Sequence, residues 1–168
     1  MRVVVIADTH VGDRRREATP GLMELAAGAD EVVHLGDFTD EGFARELEGR
    51  LELHAVFGNC DPPALRRRFP AERVVEFDGV KVALLHDLRA IRRGLEDEAA
   101  GWRERGVGLV LFGHRHRTMD EEAGGVRFIN PGTAGDEILS DGVLTAGVLE
   151  VSGGSYGWET VILEGRGS

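Results

Sequence analysis

Five short stretches of this sequence concentrate nitrogen and oxygen donors: Asp8-Thr9-His10, Gly36-Asp37, Gly58-Asn59-Cys60-Asp61, the pair His86-Asp87, and Gly113-His114-Arg115-His116. Imidazoles, carboxylates and an amide oxygen are ligands for divalent cations. A set without thiolate fits manganese, iron, nickel or zinc and does not separate them. The candidate metal ligands are Asp8, His10, Asp37, Asn59, His86, His114 and His116. Seven are too many for one ordinary transition-metal ion. They suit two ions about 3.5–4 Å apart that share a carboxylate, the arrangement of two-metal hydrolases.

Such a set needs elements that bring it together. Residues 2–7, RVVVIA, are a continuous apolar run, the pattern of a strand buried on both faces. Residues 31–37 and 51–59 read as further strands that run into glycine. Between the strands the pattern predicts a helix started by Thr19-Pro20 and stopped near Gly28, and another over 40–50 with acids in front and Arg50 behind. Strand–helix alternation implies a parallel sheet. Farther on, Asp78-Gly79 predicts a hairpin within 73–87, a helix is expected over 88–106, and a buried strand leads to Gly113. Gly124-Gly125 and Gly153-Gly154 mark two more hairpins. The fold class is therefore α/β, with two packed sheets and helices outside them. All five donor stretches stand at strand ends, where ligand sites of open α/β sheets lie. In an extended segment residues i and i+2 share a side, so Asp8 with His10, and His114 with His116, are expected to reach one centre. The glycines before Asp37, Asn59 and His114 are expected to permit sharp chain exits.

Composition bounds the rest. The 168 residues suit one domain, 1–168, and 42% hydrophobic content with 30% charged excludes a disordered chain. No apolar run nears the roughly 18 residues a membrane helix needs, and the N-terminal run is too short for a signal segment. The single Cys60 rules out an internal disulfide and points to a reducing cytoplasm. A net charge of −10 argues against a nucleic-acid-binding surface. Bound cations could still reverse the field locally around a phosphate.

Asp-x-His, Gly-Asp, Gly-Asn-x-Asp, a lone His and Gly-His-x-His, in that order, resemble the calcineurin-like metallophosphoesterase superfamily. The short chain and the GNCD variant look like its small single-domain branch, the YfcE-type phosphodiesterases, and residues 130–135, NPGTAG, resemble that family's NPGS stretch. The resemblance implies a four-layer α-β-β-α sandwich of two mixed β-sheets flanked by helices. It implies one metal held by Asp8, His10 and His116, a second by Asn59, His86 and His114, and Asp37 bridging them. It also implies hydrolysis of a small phosphate ester, with a hydroxide between the metals as nucleophile. Manganese is the first expectation, with nickel, iron or zinc as alternatives, and a homodimer or homotetramer is the expected assembly.

Three positions depart from relatives. Cys60 stands where the larger phosphatases have a histidine, and a thiol is a poor acid for a leaving group at pH 7. That favours diesters over unactivated monoesters. Asp87 replaces a glycine, and Phe57 replaces a basic residue. Asn59, His114, Asp61 and Cys60 are the candidate catalytic residues. Simpler roles compete: Asp8 and Asp37 as helix N-caps, Asn59 as a turn residue, Asp61 as a cap of Pro62-Pro63, and Arg89, Arg92 and Arg93 as a solvated helix face. His34 and His54 lie inside strands, where core or supporting roles are expected. The rival functions are a phosphomonoesterase, including a protein phosphatase, and a non-catalytic scaffold like the retromer subunit of this fold.

Overall fold

A computed structural model describes residues 1–89, 94–140 and 142–163. β1 (Arg2–Ile6), β2 (Glu31–His34) and β3 (Glu52–Ala55) run parallel, connected by α1 (Pro20–Ala27) and α2 (Glu41–Arg50). β9 (Thr145–Ser152) pairs antiparallel with β1, and β10 (Ser155–Ile162) with β9, giving the sheet order β10-β9-β1-β2-β3. The second sheet is β4-β5-β6-β8-β7, built from β4 (Glu72–Phe77), β5 (Val80–Leu85), β6 (Leu109–Phe112), β7 (Thr118–Ala123) and β8 (Val126–Pro131). Within it β5, β6 and β8 are parallel, and β4 and β7 are antiparallel edges. Both sheets are mixed, as expected, and all three glycine-marked hairpins form.

The layers follow from side-chain alternation. Val3 and Val5 of β1 face the second sheet, in a core with Val33, Val82, Leu84, Leu109, Leu111 and Ile129. Val4 and Ile6 point the other way, into a core with Leu22 of α1, Phe43 and Leu47 of α2, and Leu65. On the far side Val110 and Phe128 pack with Ala99 and Trp102 of α4 (Leu95–Glu104). Helix, sheet, sheet and helix therefore stack as four layers, which explains why the β1 run is apolar at consecutive positions.

Three local differences have physical reasons. The helix expected over 88–106 is helical from Leu95, because Gly94 sits at φ 108°, outside the helical region; the expectation for Arg92 and Arg93 lies outside the described residues. The third strand ends at Ala55 rather than running to 59. A short helix α3 (Pro63–Arg68) follows it, with proline at its first turn, where a missing N–H costs nothing. Among the described residues no helix is long and apolar enough to cross a membrane.

Candidate metal centre

The loops after β1, β2, β3, β5, β6 and β8 all leave the C-terminal ends of parallel strands and meet across the sandwich. The first sheet supplies Asp8, His10, Asp37 and Asn59, and the second supplies His86, His114 and His116. The loops are tied backbone to backbone: Asp8 N–H donates to Gly36 O, His10 N–H to Asp37 O and Gly113 N–H to His86 O, at 2.9–3.0 Å.

The mode of convergence differs from the expected extended pairs. Asp8, His10, Asp37, His114 and His116 have φ of 54°, 46°, 59°, 70° and 55°. Five non-glycine residues in the left-handed region at one place are a concentration of backbone strain of the kind that functional sites retain. Asp8 and His10 do reach one point. His114 and His116 part: His116 joins Asp8 and His10, while His114 lies at the exposed mouth with its ring 5.1 Å from that of His86. The glycines also act differently from one another. Gly36 needs its φ of 94°. Gly58 is required by space, since a Cβ there would lie 2.1 Å from Asp37 Oδ1.

The donor atoms form two nests. In the first, Asp8 Oδ1 lies 3.2 Å from His116 Nε2, and ligand atoms of Asp8, His10 and His116 all lie within 4.8 Å of one another. In the second, His86 Nδ1 donates to Leu35 O at 2.7 Å, which leaves Nε2 as a lone pair facing Asn59 Oδ1 at 2.9 Å. Asp37 Oδ2 stands between the nests, 3.7 Å from His10 Nε2 and 3.5 Å from His86 Nε2. Acceptor facing acceptor is repulsive unless a cation lies between. Asp8 Oδ1 and both His10 ring nitrogens are buried without any hydrogen-bond partner. Buried polar atoms normally find partners, so these orphans mark where positive charge is wanted. Burial pushes the His10 pKa below the usual histidine range, against the pull of Asp37 and Asp8, which keeps the ring in its ligating neutral form. The donor chemistry therefore fits divalent cations.

Around the donors the supports are specific. Asp8 Oδ2 accepts the His114 N–H at 3.0 Å, and Asp37 Oδ1 accepts the Cys60 N–H at 2.7 Å. Neither Asp8 nor Asp37 caps a helix; α2 is capped by Asp40, which accepts from Phe43 N–H. The buried Asp61 carboxylate accepts the N–H groups of Asp37, Gly58 and Thr39 at 2.7–3.0 Å, so it shapes two ligand loops rather than facing the cavity. Burial raises its pKa against those hydrogen bonds. Cys60 is exposed, and its thiol is pushed up to about 11 by desolvation and by the Asp37 charge. His34 is fully buried and stacked on Phe38, with ring centroids 3.4 Å apart. Its Nδ1 accepts from Gly36 N–H at 3.2 Å, and its Nε2 meets Thr9 Oγ1 at 2.9 Å, so one neutral ring braces two ligand loops. Burial holds its pKa well below the usual value. His54, in register with Val33 inside β3, is bonded to Glu31 at the start of β2, at 2.6 Å. Arg89 is exposed and pairs with Asp87, at 3.5 Å.

Sequence reasoning missed Thr133 and Asp136, in the loop after β8. Thr133 Oγ1 donates to Asp8 O at 2.8 Å, and Asp136 Oδ2 lies 3.1 Å from His116 Nδ1. The NPGTAG stretch was the available signal, but it ends one residue before Asp136.

A family model described as the calcineurin-like phosphoesterase superfamily domain matches residues 1–154. Among curated proteins, one named a probable metallophosphoesterase of Methanocaldococcus jannaschii is 29% identical over 135 residues, covering 79% of this chain and 68% of its own. A phosphodiesterase of the same organism is 24% identical over 187 residues, covering 98% of this chain and 100% of its own. Among solved structures, Vps29 of Entamoeba histolytica in complex with Zn2+ superposes with a TM-score of 0.74 at 26% identity, over 96% of this chain and 99% of that one.

Proposed function

The chain belongs to the calcineurin-like phosphoesterase superfamily, and on that premise we propose that it is a dinuclear metal-dependent phosphodiesterase acting on a small phosphate ester, a single domain over 1–168 working in the cytoplasm. The observation that carries this reading is the pair of donor nests, lone pair against lone pair, with Asp37 between them. Asp8, His10 and His116 hold one ion, Asn59, His86 and His114 the other, and Asp37 is shared. Manganese is the first choice, with nickel, iron or zinc as alternatives; the zinc complex of Vps29 supports a divalent ion on this fold. Two such ions supply water activation and neutralise the charge of the phosphate.

The chain's own groups set the preference for a diester. Asn59 Nδ2 donates to Cys60 Sγ at 3.4 Å, turning its Oδ1 toward His86. A thiol held near 11 keeps its proton at neutral pH and delivers it poorly to a leaving group. Substrates whose leaving group departs without a proton are therefore favoured. The match to a phosphodiesterase along its entire length supports the same preference.

The likeness to Vps29 favours a second reading, a protein-interaction scaffold that keeps the fold, and a phosphomonoesterase is the third. Metal analysis of the purified protein, with turnover of bis(p-nitrophenyl) phosphate and of p-nitrophenyl phosphate, separates all three. We expect two ions per chain and manganese-stimulated diester hydrolysis that chelator removes and manganese restores. Bound metal without turnover would favour the scaffold, and faster monoester turnover the phosphomonoesterase. Sizing by light scattering tests the proposed dimer or tetramer.

A further inference from the structure

Asp136 is 1% exposed, yet Asp136 Oδ2 makes no aligned hydrogen bond. The loop that carries it is built to hold it in place. Asp136 N–H donates to Thr133 Oγ1 at 3.0 Å, and Asp136 Oδ1 accepts the N–H groups of Ile138 and Leu139 at 3.1 and 3.2 Å. The preceding Gly135 lies flat on the ligand loop: a Cβ there would sit 1.8 Å from Thr9 O. With one oxygen anchored by backbone, the other is left 3.1 Å from His116 Nδ1 and ion-paired with Arg14 Nη1, whose charge offsets the extra buried carboxylate.

His116 thus lies between two carboxylates, Asp136 on Nδ1 and Asp8 on Nε2. A neutral imidazole carries one N–H, and the nitrogen that holds it cannot bind a cation. We propose that Asp136 is a positioning residue that holds the His116 proton on Nδ1, so that the Nε2 lone pair is presented to the metal nest with Asp8 and His10. Carboxylates that accept from the far nitrogen of a ligating histidine orient the ring and make it a stronger donor. The inference rests on the dinuclear reading of the site and deepens it.

Asp136→Asn is the informative variant. Its side-chain oxygen still accepts from Ile138 and Leu139, so the loop keeps its bonds. Its amide, however, donates toward Nδ1 and drives the ring to the opposite tautomer. In competition with a chromogenic chelator for Zn2+, one ion of D136N should bind about 10–100-fold more weakly than in wild type, with the second unchanged. Independently of any variant, long-range 1H–15N spectra of the zinc-loaded wild type should place the His116 proton on Nδ1. Unchanged affinity for both ions in a folded D136N, or a proton on Nε2, overturns the assignment. A wild-type protein that binds no zinc overturns the dinuclear reading itself, and the assignment with it.

Discussion

At the scale of single residues, the centre is defined by what its donors lack. Asp8 Oδ1 and the two His10 nitrogens are buried and unpaired, and His86 Nε2 meets only acceptors in Asn59 and Asp37. A molecule does not keep several such groups together without a cation to balance them. Removing the Asp37 carboxylate should therefore disable the site without unfolding the chain, because α2 is capped independently by Asp40. Asp37→Ala and His114→Ala are each expected to lower diester turnover by about 100-fold or more. Circular dichroism and the thermal midpoint of the metal-free proteins should match wild type. A fully active variant at either position would remove that residue from the machinery. Cys60 has a different character. Its thiol is pushed up to about 11 by desolvation and the Asp37 charge, which disfavours a thiolate, and its backbone N–H donates to Asp37 Oδ1.

Among the elements, the contest is over space. Six parallel strands from two sheets end in loops that touch, and glycines stand at the contacts. A Cβ on Gly36 would come within 2.7 Å of Gly58 N, and one on Gly113 within 3.0 Å of Asp8 Oδ2. Gly58→Ala is the sharpest test, because its Cβ would collide with both Asp37 Oδ1 and Asp37 N, at 2.1 and 2.5 Å. Backbone cannot yield as a flexible side chain does, so the β2 and β3 loops must separate. We expect G58A to lose about 1–3 kcal/mol of stability by chemical denaturation. Its turnover should fall with it, even at temperatures where the variant is folded. A G58A protein as stable and active as wild type would show that these loops have slack. The same crowding explains Asp61, whose carboxylate gathers three amides from the two loops and so fixes their spacing.

For the whole molecule, the centre joins two sheets that otherwise meet through an apolar core. Each sheet contributes ligands, so ions bound between them favour the folded state over the unfolded chain by linkage. At a free concentration about 100-fold above Kd, one ion contributes roughly 2.7 kcal/mol. For a chain of this size that corresponds to a midpoint shift on the order of 5–10 °C. Manganese should raise the midpoint in differential scanning calorimetry, and chelator should reverse the rise. An unchanged midpoint in saturating manganese would mean that the nests do not bind it. The acidity of the chain, −10 overall, would be no obstacle to an anionic substrate at a centre whose carboxylates two bound divalent ions would outweigh.

The sequence by itself determined the inventory: five donor stretches, each at the end of an apolar run, in an order that resembles one superfamily, together with the α/β class and its hairpins. Those are local signals, carried by periodicity, glycine and proline within a few residues, and they survive without knowledge of the fold. Only the tertiary structure decided how the donors are shared. It turned His114 and His116 apart through left-handed backbone, His116 onto Asp8 and His10 and His114 to the exposed mouth beside His86, where extended strand geometry would have put them together. It showed that Gly58 serves space, which depends on a neighbour in another loop. It brought Asp136, in the loop after β8, against His116, in the loop before β7, and set His34 between two ligand loops. Contacts between loops of different strands have no periodic trace in the chain, because they are fixed by the packing of one sheet on the other.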